Sequence, residues 1–261
     1  MRNYHIRIIG LQLIAVTLMR LSVFGLPGNQ EHPSAAELLK QFKNEQVFWR
    51  QFEVAKKIVA LHDLSMLQEL TGWLNHDDRH LRGNAAFIFA GLGDDRGFKI
   101  INAMLNDRSD RPAGQGIAGA ASDGRCHVAQ QIAADRYYAV HLFGDLKDSR
   151  AVPILVPLLR DEEVHYIVPW ALGEIGDKRA DDPLIKALDD KNPSIRVLAI
   201  YALEKLGAKE AVPRLRELLE DNEKSNFGGA VSVAEAAKVA TLVIGTSPFM
   251  RGRAKARTWQ R

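Results

Sequence analysis

Four ring side chains recur at one position of a repeating pattern: Phe87, His141, Trp170 and Tyr201. On an α-helix, residues three before and four after such a ring share its face. Those sets read Asn84-Phe87-Gly91, Tyr138-His141-Asp145, Ile167-Trp170-Glu174 and Leu198-Tyr201-Lys205. A ladder of rings offers large contact area at low conformational-entropy cost, the chemistry of a peptide or ligand groove. The competing reading is that the rings fill the seams between neighbouring helices. The changing charge of the last column (Gly91, Asp145, Glu174, Lys205) and the polar neighbours of Trp170 and Tyr201 favour the groove. The expected ligand-binding set is therefore Phe87, Tyr138, His141, Asp145, Trp170, Glu174, Tyr201 and Lys205.

Other reactive types carry less. Arg82, Arg136 and Arg196 form a second column, with His165 in the fourth unit. These arginines are expected to pair with turn acids such as Asp135 or Asp161 rather than to bind an external anion. Asp94, Asp148 and Asp177 read as helix caps. His62, His76, His80, His127, His141 and His165 are scattered and assemble no Ser-His-Asp or Cys-His arrangement. The single cysteine, Cys126, excludes an internal disulfide framework and any multi-Cys zinc site. No metal or cofactor is expected.

These residues must be carried by a repeat. The stretch from Ala139 through Asp161 matches the stretch from Ala199 through Asp221, and the same frame begins again at Val54, Ala85, Val168 and Ala237. Each unit reads as two short helices. The first is entered through an Asp cap and carries proline in its first turn (Pro153, Pro213). Its leucines at 155, 158 and 159 recur at 215, 218 and 219 as one apolar face. The second ends at Gly93, Gly176 or Gly207, where glycine takes the left-handed closing conformation. Small residues in its middle let neighbouring helices come close. Two links between the helices of a unit are long, in units three and six. The third-unit insertion, residues 108–134, contains Arg108, Arg111 and Arg125, and one-sided insertions of this kind mark a binding face.

The repeating residues, with their Val-Arg-x-x-Ala-Ala-x-Ala-Leu-Gly-x-Leu-Gly-Asp pattern, resemble the HEAT family, specifically its phycobilisome-lyase HEAT-like subtype. The resemblance covers residues 34–245 and implies an all-α, right-handed α-solenoid of about six HEAT-like helix pairs. It also implies that the second helices, and hence the ring column, line the concave side. The array is similar as well to deoxyhypusine hydroxylase, which holds two irons with His-Glu pairs after the arginine column. The matching positions here are Gly83-Asn84, Tyr137-Tyr138, Tyr166-Ile167 and Val197-Leu198, so di-iron chemistry is not expected.

Charge is concentrated at the ends. Arg2, Arg7 and Arg20 stand in the first 25 residues and five basic residues in the last 16, neither segment holding an acid, which leaves 27 basic against 32 acidic residues between them. That mildly acidic body is not a phosphate-binding surface, and no nucleic acid is expected as partner. Arg2 and Arg7, the apolar run 8–19 and small residues up to Gly25 read as a signal peptide over 1–25, directing the chain to the periplasm or the exterior. Residues 26–33 read as a linker, 34–245 as the repeat domain and 246–261 as a basic tail, with no membrane span after cleavage. The functional expectation is an exported, monomeric, non-catalytic scaffold binding a protein or peptide. The alternative is a lyase- or hydroxylase-like enzyme on the same repeats.

Overall fold

The computed structural model describes residues 33–109, 128–226 and 230–245. The expected signal segment, the basic tail, Arg111 and Arg125 lie outside those residues. Among the described residues the secondary structure is helical apart from one isolated bridge, Lys224 to Ser232. The helices are α1 (Ala35–Asn44), α2 (Phe48–Leu61), α3 (Met66–Leu70), α4 (Arg79–Gly91), α5 (Asp95–Asn106) and α6 (Val128–Leu146). They continue with α7 (Val152–Leu155), α8 (Val168–Ile175), α9 (Asp181–Ala187), α10 (Pro193–Leu206), α11 (Val212–Glu217) and α12 (Val233–Gly245). Short 3-10 turns extend α3, α7, α9 and α11, so the chain forms six consecutive helix pairs whose second members are α2, α4, α6, α8, α10 and α12. This is the all-α fold class of a HEAT-type solenoid. No helix among the described residues is long and apolar enough to cross a membrane.

Local chemistry sets the ends of these elements. Ser34 and Glu37 form a reciprocal capping box at α1. The carboxylates of Asp78 and Asp94 accept backbone N–H groups at the starts of α4 and α5, and Asn192 does so for α10, whose first residue is Pro193. Asp148 and Asp177 cap the turns leading into α7 and α9, as their column predicted. Gly93, Gly176 and Gly207 all have positive φ, the closing conformation expected of them.

Packing falls into two compact units, one spanning residues 32–175 and one beginning at Gly176. In the first, α2, α4, α6 and α8 pack in succession, and α5 lies against both α4 and α6. Phe42, Ile58, Phe89, Phe143 and Ile88 are fully enclosed there. Two glycines make close approach possible. A Cβ on Gly97 would stand 2.1 Å from the carbonyl oxygen of Ala86, and one on Gly144 would stand 2.6 Å from the Trp170 ring. In the second unit, α10 packs on α12 and α9.

The arginine column turns inward. Arg136, 4 % exposed at its side chain, donates to Leu105 O at 2.9 Å, to both oxygens of Asp161 and to Glu163. Arg196 repeats the pattern with Asp190 O, Asp221 and Glu223. Arg82 departs from it, donating to His76 O, while Arg79 takes Asp107 at 2.8 Å. Burial works against the Arg136 charge, but its hydrogen bonds to Asp161 and Glu163 outweigh that and raise its pKa. The same contact holds the Asp161 carboxyl below its usual 3.8. Stability from this pair is therefore fully present above about pH 4 and lost as pH falls through the lowered folded value. Arg136→Ala, which strands the Asp161 carboxylate and the Leu105 carbonyl while Glu163 keeps Arg108, is expected to cost about 1–3 kcal/mol. Urea unfolding of the two chains at pH 7 measures it.

Candidate functional site

The second helices of residues 32–175 bring their rings together around one buried polar chain. Tyr138 on α6 donates its phenolic hydrogen to Asn84 Oδ1 on α4. Asn84 Nδ2 donates in turn to Gln51 Oε1 on α2 at 2.9 Å and to Phe48 O at 2.8 Å. Gln51 Nε2 donates to Phe42 O at 3.0 Å. Asn84 and Gln51 are wholly enclosed and Tyr138 is 7 % exposed. Burial pushes the Tyr138 phenol well above its ordinary value, so it remains the protonated donor this chain requires.

Around that chain the rings interlock. Phe48 meets His80 at 4.6 Å and Tyr138 at 5.2 Å between centroids. Phe52 packs edge-on against Phe87 at 4.8 Å and against His141 at 5.9 Å. His141 lies 4.7 Å from Trp170, with the two ring planes 30° apart. One turn beyond His141 on the same helix, Asp145 places Oδ2 3.1 Å from His141 Nδ1. The site thus opens from an enclosed base (Asn84, Gln51, Tyr138, Phe87) to a partly accessible edge (His141, Asp145, Trp170, Glu174).

This sorts the expected residues. His141, Asp145 and Trp170 converge on one accessible edge, with Glu174 a turn beyond Trp170. The expectation that Phe87 and Tyr138 face solvent is corrected: both are interior, because the aromatic residues of α2 cover them. Tyr201 and Lys205 are exposed on α10, in the unit beginning at Gly176. Arg108 is also exposed and pairs at 2.8 Å with Glu163, an acid that also receives Arg136.

Sequence reasoning missed Phe48, Gln51, Phe52 and His80. In the first unit's frame, which begins at Val54, the ring position holds Lys56, and Phe52 lies off the column of the later rings. His80 stands 3.7 Å from Asp135, itself an arginine partner through Arg79. A shallow cavity of about 350 Å³ between Leu74, Arg82 and Met104 is lined by none of the ring residues. Among the described residues no group of three or more His, Cys, Asp or Glu side chains is arranged to hold a metal.

Tyr138→Phe keeps the ring and strands Asn84 Oδ1 in the interior. We expect a loss of about 1–3 kcal/mol, read from the denaturant midpoint. A midpoint equal to wild type would show that the polar chain does not hold these helices.

The HEAT repeats family matches residues 162–231. Over 95 residues the chain is 36% identical to phycocyanobilin lyase subunit alpha of Picosynechococcus sp., a match covering 32% of this chain and 35% of that protein. Over 138 residues it is 30% identical to bilin biosynthesis protein PecE of Mastigocladus laminosus, covering 51% of each. The chain thus spans between about a third and a half of the length of these curated relatives. These matches bear out the HEAT-like resemblance of the bilin-lyase kind. They overturn the expectation of a non-catalytic scaffold, because a relative is named as a lyase, and they point to an enzyme. The physical reason is that a repeat array needs only a few side chains on its lining helices to do chemistry, and these form no contiguous motif in sequence.

Proposed function

We propose that this chain is an enzyme of bilin chemistry, of the lyase type, that receives a linear tetrapyrrole on the edge formed by His141, Asp145 and Trp170 and acts with a protein partner. The similarity to two proteins named for bilin chemistry, one spanning half of this chain, carries the reading. The site's chemistry supports it. A bilin is a flat conjugated chain with pyrrole N–H groups, for which stacked rings and a nearby carboxylate are suitable partners. Phe87 and Tyr138 belong to the base beneath that edge. On α10, Tyr201 is 42% exposed and Lys205 stands one turn away, which supports this helix as a protein-contact surface. The insertion carrying Arg108, Arg111 and Arg125 is proposed as a partner contact in its own right, with Arg108 paired to Glu163.

Titration of phycocyanobilin into the purified full chain is expected to change the pigment's visible absorption saturably. Trp170→Ala should weaken that binding at least tenfold, about the loss of one good aromatic contact. A wild-type chain that leaves the spectrum unchanged would overturn the bilin reading, and a Trp170→Ala chain that binds as wild type would overturn this location.

The basic, apolar and small-residue order of the first 25 residues supports export with removal of that segment. The intact mass of the chain recovered from its native cells is expected to correspond to a start near residue 26, and a full-length mass would refute removal.

A further inference from the structure

We infer that the cavity between Leu74, Arg82 and Met104 is a binding site for a small organic acid, one carboxylate on a short apolar chain, with Arg82 as its anchor. The site is separate from the ring edge, and its failure would leave the bilin reading untouched.

Arg82 departs from the other arginines of its column. Arg136 meets Asp161 and Glu163, which follow it by 25 and 27 residues, and Arg196 meets Asp221 and Glu223 at the same spacings. The positions that match for Arg82 are Asp107 and Ser109. Asp107 is taken by Arg79, whose Nε and Nη2 donate to it at 3.0 and 2.8 Å. Arg79 stands three residues before the column, where the units of Arg136 and Arg196 have Ala133 and Pro193 and no competing guanidinium arises. The second acid is replaced by Ser109, whose hydroxyl donates to Asp107 at 2.6 Å. Among the described residues Arg82 is left with one hydrogen bond, from Nη1 to His76 O at 2.6 Å.

Its Nε and Nη2 donors therefore face no acceptor of the protein. They lie side by side, the edge with which Arg79 holds Asp107, and their spacing matches the two oxygens of a carboxylate. The guanidinium is half-buried, and a charge withdrawn from water needs a compensating partner. Burial lowers the Arg82 pKa and the Arg79 charge lowers it further, while Asp107, Asp135 and Asp78 offset only part of this. An incoming carboxylate supplies the counter-charge that Asp161 and Glu163 give to Arg136.

The cavity selects what that carboxylate is attached to. Arg82 and Asn75 form its polar lining, and Leu74, Ile100, Ala103 and Met104 its apolar wall. At about 350 Å³ it stands at the small end of ligand clefts, which suits a short acid rather than a four-ring pigment. Asp78, Asp107 and Asp135 act on the same region, so a dianion such as phosphate is repelled more strongly than a monoanion. The apolar wall would also leave the remaining phosphate oxygens without donors. Arg82 is two residues from Asn84 and thus on the opposite side of α4 from the buried polar chain.

Isothermal titration of the full chain with 4-methylpentanoate at pH 7 tests the site. Saturable binding is expected, with 4-methylpentanamide and inorganic phosphate each at least about tenfold weaker, the loss of one charge-assisted contact. Arg82→Gln should weaken the acid by a similar factor. Ser109→Glu, which installs at an exposed position the acid that Arg136 and Arg196 have, should do so by engaging Arg82 from within the chain. Circular dichroism checks that both variants keep the wild-type helix content, and Ser109→Glu decides alone if Arg82→Gln does not fold. A wild-type chain that binds no acid overturns the site. Equal affinity for acid and amide overturns the carboxylate, and wild-type affinity in a folded variant overturns Arg82 as anchor. Phosphate bound as tightly as the acid overturns the ligand class. A peptide ending in a free leucine carboxylate that binds more tightly than the acid overturns the small-molecule source.

Discussion

The hydroxyl of Tyr138 cannot be left unpaired inside residues 32–175, and its hydrogen bond to Asn84 dictates much of what surrounds it. A buried hydroxyl without a partner costs on the order of 1–3 kcal/mol. Asn84 satisfies it and is itself held by Gln51 and Phe48 O, so three successive helices are fixed in rotation as well as in spacing. Once α6 is fixed in this way, the residue one turn on, His141, must face Phe52 and Trp170. The next turn then presents Asp145. The accessible edge of the site is a consequence of the polar chain beneath it.

Spacing between repeats is governed by two further devices. Glycines at Gly97 and Gly144 remove the side chains that would hold neighbouring helices apart. Arginines at Arg136 and Arg196 reach from a second helix to the acids at the end of the neighbouring first-helix segment, each closing on an Asp and a Glu two residues apart. The desolvated guanidinium of Arg136 is tolerated because its partners are a carbonyl and two carboxylates. The contacts are internal, so these two arginines belong to the architecture, and the ring column is a face on which chemistry can differ between repeats.

Much of this is legible in the amino-acid sequence. Asp94, Asp148 and Asp177 cap because a carboxylate at that position meets unpaired N–H groups, a local rule. Gly93, Gly176 and Gly207 close helices for an equally local reason. His141, Asp145 and Trp170 share one accessible edge because the period of a helix is fixed. Phe87 and Tyr138 lie on the same face by period and are nevertheless enclosed, since enclosure depends on what α2 brings over them.

Composition, periodicity and caps thus established the helix pairs, their order, and the column that carries the rings, all of which follow from interactions within a few residues. Which members of that column are interior and which accessible depended on contacts between residues far apart in the chain: Gln51 with Asn84, Asn84 with Tyr138, His141 with Trp170. Such pairings leave no periodic trace, because the energy of a buried hydrogen bond or ring contact arises only after helices have packed.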